Sequence, residues 1–372
     1  MAARRLILRA RRRRSILPSD RRESAARFCA ENIDGKSAKM KFGYMIAFRN
    51  PRELSKLGDA DFYAAMFEQI EYLDQAGFET LWTTEHHFVD DGYLAATMPM
   101  LAAIAARTRR IKIGSFVLLA PFYHPLRLAE DAALIDVISN GRLRLGIGVG
   151  YRREEFEIFQ IPRNERLGRT LETIEIMRRA WSGERFSFQG KHFNFKDARV
   201  LPKPISPNGP EILWGGMNPE SIKRSARLDL GFACNLGTSE IRKYHEALRE
   251  LGKDPAGYSV VNSRPVYVAD SEEQAWQEIA PGMLYQMELY GKWLADGGID
   301  TSGRYRPDED ALRKSAILGP PKRVIEQLRE VIARTPATEI ALGMQQPGLD
   351  PKLGMRSLRR FATEVRPALD KK

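Results

Sequence analysis

From Phe42 to the C-terminus, short apolar runs alternate with longer stretches whose apolar residues recur at helical spacing. Phe42–Ala47 is a run of the first kind and predicts a strand. Over Asp61–Ala76, Phe62, Met66, Ile70 and Leu73 share one face, and Gly77 follows as a helix stop. Thr80–Thr84 predicts a second strand and Met98–Arg107 a helix. Ile111–Leu119, rich in β-branched and aromatic residues, predicts a third strand. Leu126–Ser139 is a helix closed by Asn140-Gly141. Leu143–Val149 and Arg166–Trp181 make the fourth strand and its helix.

The alternation then breaks. Residues Glu184–Pro207 carry Phe186, Phe188, Phe193 and Phe195 between polar residues, with Gln189-Gly190 as a turn, and predict a small hairpin. Strands at Glu211–Trp214, Gly231–Leu236, Ser259–Val268 and Thr338–Met344 follow, with helices Pro219–Ala226, Glu240–Leu251, Pro321–Arg334 and Leu353–Leu369. Pro281–Ser315 is mixed and Gly-containing, and predicts a second insertion. Eight β-then-α units with two insertions predict an α/β protein, a single (β/α)8 TIM barrel rather than a doubly wound sheet.

Composition changes this picture at one end only. The chain has 372 residues, 43% of them hydrophobic, and a formal charge of +11. Residues 1–39 hold twelve Lys and Arg against four Asp and Glu, leaving +3 for residues 40–372. A block containing Arg11-Arg12-Arg13-Arg14 reads as a disordered, Arg-rich extension before a domain that spans 40–372. A transit peptide, or an arm for nucleic acid or anionic lipid, has the same composition. No apolar run is long enough for a secretory signal or a membrane span. Two cysteines, Cys29 and Cys234, exclude a disulfide framework and a cysteine-rich metal site, and fit a reducing cytoplasm.

The candidate chemistry follows the second strand, at Glu85-His86-His87-Phe88, which holds two of only five histidines. Ionisable groups at the carboxyl end of a barrel strand are where such folds keep their chemistry. His86 can exchange a proton near neutral pH, with Glu85 to orient or charge-tune it. A structural pair of core histidines is the plainer alternative. No metal site is expected: His86 and His87 diverge if the strand continues, and His124 and Glu130 supply no ligand spacing. Gly146-Ile147-Gly148-Val149-Gly150 lacks the third glycine of the dinucleotide fingerprint, where Tyr151 stands. Those glycines admit a flat ring or another backbone, and close packing explains them as well. Trp214-Gly215-Gly216-Met217-Asn218-Pro219-Glu220-Ser221 turns from a strand into a helix, with Asn218 as N-cap. It reads as a phosphate-binding turn or an ordinary capped helix start. Val89–Leu94 and Pro121–Tyr123 read as largely apolar or aromatic walls for a hydrophobic organic ligand.

Taken together, these residues resemble the bacterial luciferase-like family of flavin-dependent monooxygenases. The resemblance runs from about Met40 to the C-terminus. It rests on Ala76–Trp82 leading to Glu85–Phe88, on His124–Glu130, on Leu134–Arg142, and on Gly146–Tyr151 with Glu155-Phe156. Residues 1–39 have no counterpart in it. The resemblance implies a barrel that binds reduced FMN, which meets O2 to form a C4a-peroxyflavin and oxygenates an organic substrate. It implies a catalytic role for His86 with Glu85 as the accompanying acid, and a non-proline cis peptide at Phe116-Val117 under the flavin. It also implies cofactor contacts from Gly148, Gly150 and Tyr151, phosphate contacts from Gly215, Gly216, Met217, Asn218 and Ser221, and a lid over Pro281–Ser315. Val149 departs from relatives that place a phosphate-binding arginine there, which leaves the turn and Arg224 for that task. Light emission is not expected.

Reduced FMN would come from a separate NAD(P)H:flavin reductase, since no NAD fingerprint is visible. A coenzyme F420-dependent oxidoreductase and a non-catalytic flavin-binding protein are the alternatives. A nucleic-acid role would rest on the basic arm alone. Neither nucleic acid nor membrane is an expected partner, and a homo-oligomer is.

Overall fold

The computed structural model describes residues 39–370, apart from 217, 236, 299–304, 306 and 307. The expected extension therefore lies, but for Lys39, outside the described residues, as does Met217. Eight parallel strands close into a barrel: β1 (Lys41–Ile46), β2 (Thr80–Thr83), β3 (Lys112–Leu119), β4 (Leu143–Gly148), β7 (Glu211–Gly215), β8 (Gly231–Cys234), β9 (Val260–Val268) and β11 (Glu339–Gly343). They neighbour one another in that order, and β11 pairs with β1 to complete the ring. The helices between them are α1 (Asp59–Ala76), α2 (Thr97–Arg107), α3 (Pro125–Ser139), α4 (Arg153–Ile158), α5 (Arg166–Ala180), α6 (Pro219–Arg227) and α7 (Thr238–Glu250). The expected hairpin is β5 (Phe186–Gln189) against β6 (Asn194–Ala198).

The second insertion differs from its expectation. Its expected start, Pro281, lies inside α8 (Glu272–Asp296), capped by Ser271. Proline removes one helical hydrogen bond. Against that loss, Ala275, Trp276, Ile279 and Met283 bury themselves with Tyr267, Leu318 and Leu349. Gly282 passes so close to Pro347 that a Cβ would lie 2.4 Å from its carbonyl oxygen. Then come α9 (Glu309–Ser315), the three-residue β10 (Ile317–Gly319), α10 (Pro321–Arg334), α11 (Pro351–Arg360) and, after a π-helical turn, α12 (Arg366–Asp370). β10 pairs in parallel with the last three residues of β9, Val266–Val268, and was not expected.

Inside the barrel two layers stack. The lower is polar: Arg144 reaches Glu339 and Glu211, both at 2.6 Å, and Trp82 Nε1 donates to Glu339 at 2.8 Å. Burial works against the guanidinium's charge, but Glu211 and Glu339 outweigh it and hold Arg144 charged. Gly43 and Gly114 make room for this layer, because a Cβ on them would strike Glu339 and the Trp82 ring. The upper layer is apolar, with Trp82, Phe116, Leu213, Ala233, Val261 and Ala341 beside Met45 and Val117.

Asp74 of α1 sets where β3 begins. Its carboxylate accepts the backbone N–H groups of Arg109 (3.0 Å), Arg110 (2.7 Å) and Ile111 (2.7 Å). Burial pushes this carboxyl up, but the three donors and the Arg110 charge together hold it below the ordinary range. Its contribution to stability is therefore complete above its unfolded value of about 4 and lost as pH falls through the folded value. The stability difference between the protein and Asp74→Asn, from urea unfolding, is expected to be largest at neutral pH and to shrink steadily below pH ~4. A difference that does not change with pH would show that the clamp does not need the charge.

Candidate active site

β2 delivers the chain to the carboxyl end of the barrel, where Glu85, His86 and His87 follow outside regular structure. His86 is buried, with 5% of its surface exposed. Its Nδ1 lies 2.8 Å from Glu155 Oε1, and the same oxygen accepts the His87 backbone N–H at 2.9 Å. Its Nε2 lies 3.2 Å from the Tyr151 hydroxyl. Burial, followed by Tyr290, Tyr93 and Glu155, raises the Tyr151 phenol well above its ordinary value, so that it stays protonated and donates. An acceptor carboxylate on one side and a donor phenol on the other assign the neutral ring to the Nδ1–H tautomer. Trp293 and Tyr290 of α8, with Tyr93, wall the ring at centroid distances of 4.9, 5.9 and 5.0 Å.

Glu85 departs from its expected place. It does not touch His86. Its carboxylate accepts the Leu119 backbone N–H at 3.0 Å and the Tyr123 hydroxyl at 2.9 Å, and faces His87 Nε2 at 3.3 Å. Glu85 thus ties the β2 loop to the end of β3, and the acid beside His86 is Glu155. Sequence reasoning placed Glu155 in a motif without giving it this role. Its position four residues after Tyr151, on the first turn of α4, was the available signal. The Val89–Leu94 wall is also less apolar than expected: buried Asp91 pairs with buried Arg49 at 2.6 Å.

Phe116-Val117 is a cis peptide bond. The Val117 side chain sits among the expected glycines. A Cβ on Gly148 would come within 2.6 Å of it, one on Gly215 within 2.7 Å and one on Gly146 within 3.2 Å. Close packing by Val117 accounts for Gly148 and Gly215 without a ring, and the Ser115 carbonyl oxygen, 2.2 Å from a Cβ on Gly146, accounts for that glycine. Gly150 takes φ +73°, a left-handed conformation that favours glycine, against Phe156. At the next turn Asn218 caps α6 by accepting the Ser221 N–H at 2.8 Å, and Trp214 Nε1 donates to Ser221 Oγ at 2.8 Å. A Cβ on Gly216 would lie 2.0 Å from Ser221 Oγ, so Gly216 is required by this turn. The Ser221 hydroxyl keeps its own hydrogen to donate. Arg224 stands on the same helix with its guanidinium 6.0 Å from the Trp214 ring.

Among the described residues no group of three or more His, Cys, Asp and Glu side chains could hold a metal, and His124 packs on Phe193 instead. Among them, too, no helix is long and apolar enough to cross a membrane. The residues present fit a flavin: an apolar platform at Val117, a donor turn at Gly216–Ser221, and a histidine flanked by an acid and a phenol.

The luciferase-like monooxygenase family model matches residues 40–339. The flavin-dependent trigonelline monooxygenase, oxygenase component, of Acinetobacter baylyi is 30% identical over 341 residues, covering 82% of this chain and 89% of that protein. The crystal structure of monooxygenase RslO1 from Streptomyces bottropensis superposes with a TM-score of 0.76 at 27% identity, covering 88% of this chain and 99% of that one. An F420-dependent glucose-6-phosphate dehydrogenase of Amycolatopsis mediterranei is 29% identical over 207 residues, covering 53% of this chain and 58% of that protein. The chain belongs to the luciferase-like monooxygenase family, and its relatives are monooxygenases and flavin-dependent oxidoreductases.

Glu85→Ala removes the acceptor of a buried N–H and a phenol. It is expected to cost about 2–4 kcal/mol in urea unfolding, with Glu85→Gln milder. A loss below about 0.5 kcal/mol would show that the β2–β3 tie is not structural.

Proposed function

We propose that this protein is the oxygenase component of a two-component, FMN-dependent monooxygenase acting on a hydrophobic organic substrate. The observation that carries the proposal is its likeness, over 82% of its length, to a relative named as a flavin-dependent oxygenase component. That name also supports a separate NAD(P)H:flavin reductase as the source of reduced FMN. Reduced FMN, when bound, supplies the electrons that activate O2.

The chain's own residues do the rest. Val117 supports the face of the ring, and the Gly216–Ser221 turn holds the phosphate through the Ser221 hydroxyl and the positive end of α6. Asn218 shapes the same turn as the cap, and Met217 is proposed with it as a phosphate contact. His86 accepts a proton at Nε2, and Glu155 steadies the resulting imidazolium. Tyr93, Tyr290 and Trp293 exclude water around His86. Phe88, Phe122 and Phe159, packed on one another beside His87, supply an apolar side for the substrate. The proposal includes a cytoplasmic setting and a homo-oligomeric assembly.

F420 dependence is the second reading, favoured by the Amycolatopsis relative, whose match covers a shorter part of the chain. Anaerobic titration of the full chain separates the two. Reduced FMN is expected to bind at least about tenfold more tightly than F420, a difference of ~1.4 kcal/mol. The reverse order would move the protein to hydride transfer. His86→Ala is expected to keep the fold and FMN affinity while losing substrate-coupled O2 consumption, and retention of that coupling would remove His86 from the role.

A further inference from the structure

The His86 ring offers no open edge to a ligand. Nδ1 is taken by Glu155, Nε2 by Tyr151, and Tyr93, Tyr290 and Trp293 stand around the ring. Tyr151 as a residue is half-buried, more open than His86, although burial also acts on its phenol. Its phenol differs from those of its neighbours. Tyr93 and Tyr290 bond each other at 2.8 Å, whereas the Tyr151 hydroxyl has only His86 Nε2 as a hydrogen-bond partner among the described residues. It donates its proton inward, and its oxygen keeps lone pairs to accept another.

We propose that Tyr151, which the family resemblance assigned to cofactor contact, is the catalytic residue that meets the ligand, and that His86 acts through it. Glu155 is then a positioning residue for His86. This rests on the reading of His86 as the base. A proton on a ligand oxygen moves to the Tyr151 oxygen as the Tyr151 hydroxyl proton moves to His86 Nε2. The ligand O–H bond breaks and its electron pair stays on the ligand oxygen. Tyr151 exchanges one O–H bond for another, and one N–H bond forms. The imidazolium keeps its Nδ1–H on Glu155 Oε1, and nothing is oxidised or reduced. The return of the proton runs the same path backwards.

Glu155 has no exposed surface, and its Oε2 has no hydrogen-bond partner among the described residues. A buried carboxylate with one oxygen idle is costly unless its charge has a use. Facing an imidazole that becomes cationic for part of each cycle is such a use. The tautomer also matters. With Nδ1–H held by Glu155, the basic nitrogen is the one that faces Tyr151.

The test uses the full chain with Tyr151→Phe and Glu155→Gln. Phenylalanine keeps the ring and removes only the hydroxyl. In the ligand-free protein, nitrogen NMR of labelled histidine is expected to show His86 as the Nδ1–H tautomer. Glu155→Gln is expected to release it to a mixture, with Tyr151→Phe shifting the Nε2 signal through loss of its donor. With reduced FMN, Tyr151→Phe is expected to bind as tightly as the parent and to lose substrate-coupled O2 consumption by about 100-fold or more. Parental turnover in Tyr151→Phe, or an Nε2–H tautomer in the parent, overturns the relay. Loss of FMN binding in Tyr151→Phe also overturns it and makes the residue a cofactor contact. If His86→Ala is inactive while Tyr151→Phe is fully active, the relay alone fails. If both are fully active, the reading of His86 as the base fails with it.

Discussion

The side chain of Val117 fills a volume that two glycines leave open. Gly148 on β4 and Gly215 on β7 face it, and a methyl group on either would approach it to 2.6–2.7 Å. Overpacking of that kind costs about 1–3 kcal/mol in a well-packed core. The constraint joins three strands at the carboxyl end of the barrel and sets the level of its floor. Below the floor, Phe116 meets the edge of Trp82, whose indole N–H is held by Glu339 in the polar layer. The two layers are mechanically one column, from the Arg144 ion cluster up to the surface on which a ligand would rest.

Three buried acids take three different tasks, and what faces each one decides which. Asp74 meets three backbone N–H groups and fixes the entry of β3. Glu85 meets one backbone N–H, a phenol and His87, and fixes the exit of the same strand. Glu155 meets an imidazole and a backbone N–H and leaves one oxygen over. Glu85 and Glu155 both face an imidazole, but Glu85 spends both oxygens on donors, whereas Glu155 serves its imidazole and backbone N–H through one oxygen.

The barrel was legible in the sequence because strand and helix periods differ and because the turn residues punctuate them. All eight barrel strands fall within two or three residues of their expected ends. The hairpin was legible from its alternating phenylalanines. The start expected for the second insertion falls inside α8, and only the tertiary packing of Trp276 and Met283 shows why that helix continues through Pro281. The site was legible to the level of the motif. His86, the Phe116-Val117 bond and the capped turn lie where they were expected. The exchange of roles between Glu85 and Glu155 was not legible, since it depends on how the chain bends after Thr83. Residues brought together from 69 positions apart leave no periodic signal. The glycines were legible as a demand for space, but their occupant, a valine from the neighbouring strand, was not.

The most direct test is a crystal structure of the full chain with FMN. The flavin ring is expected to rest on Val117, with its phosphate at the Gly216–Ser221 turn and the Tyr151 hydroxyl turned towards the ligand side. A ring bound away from Val117, or a phosphate held elsewhere, would contradict this placement.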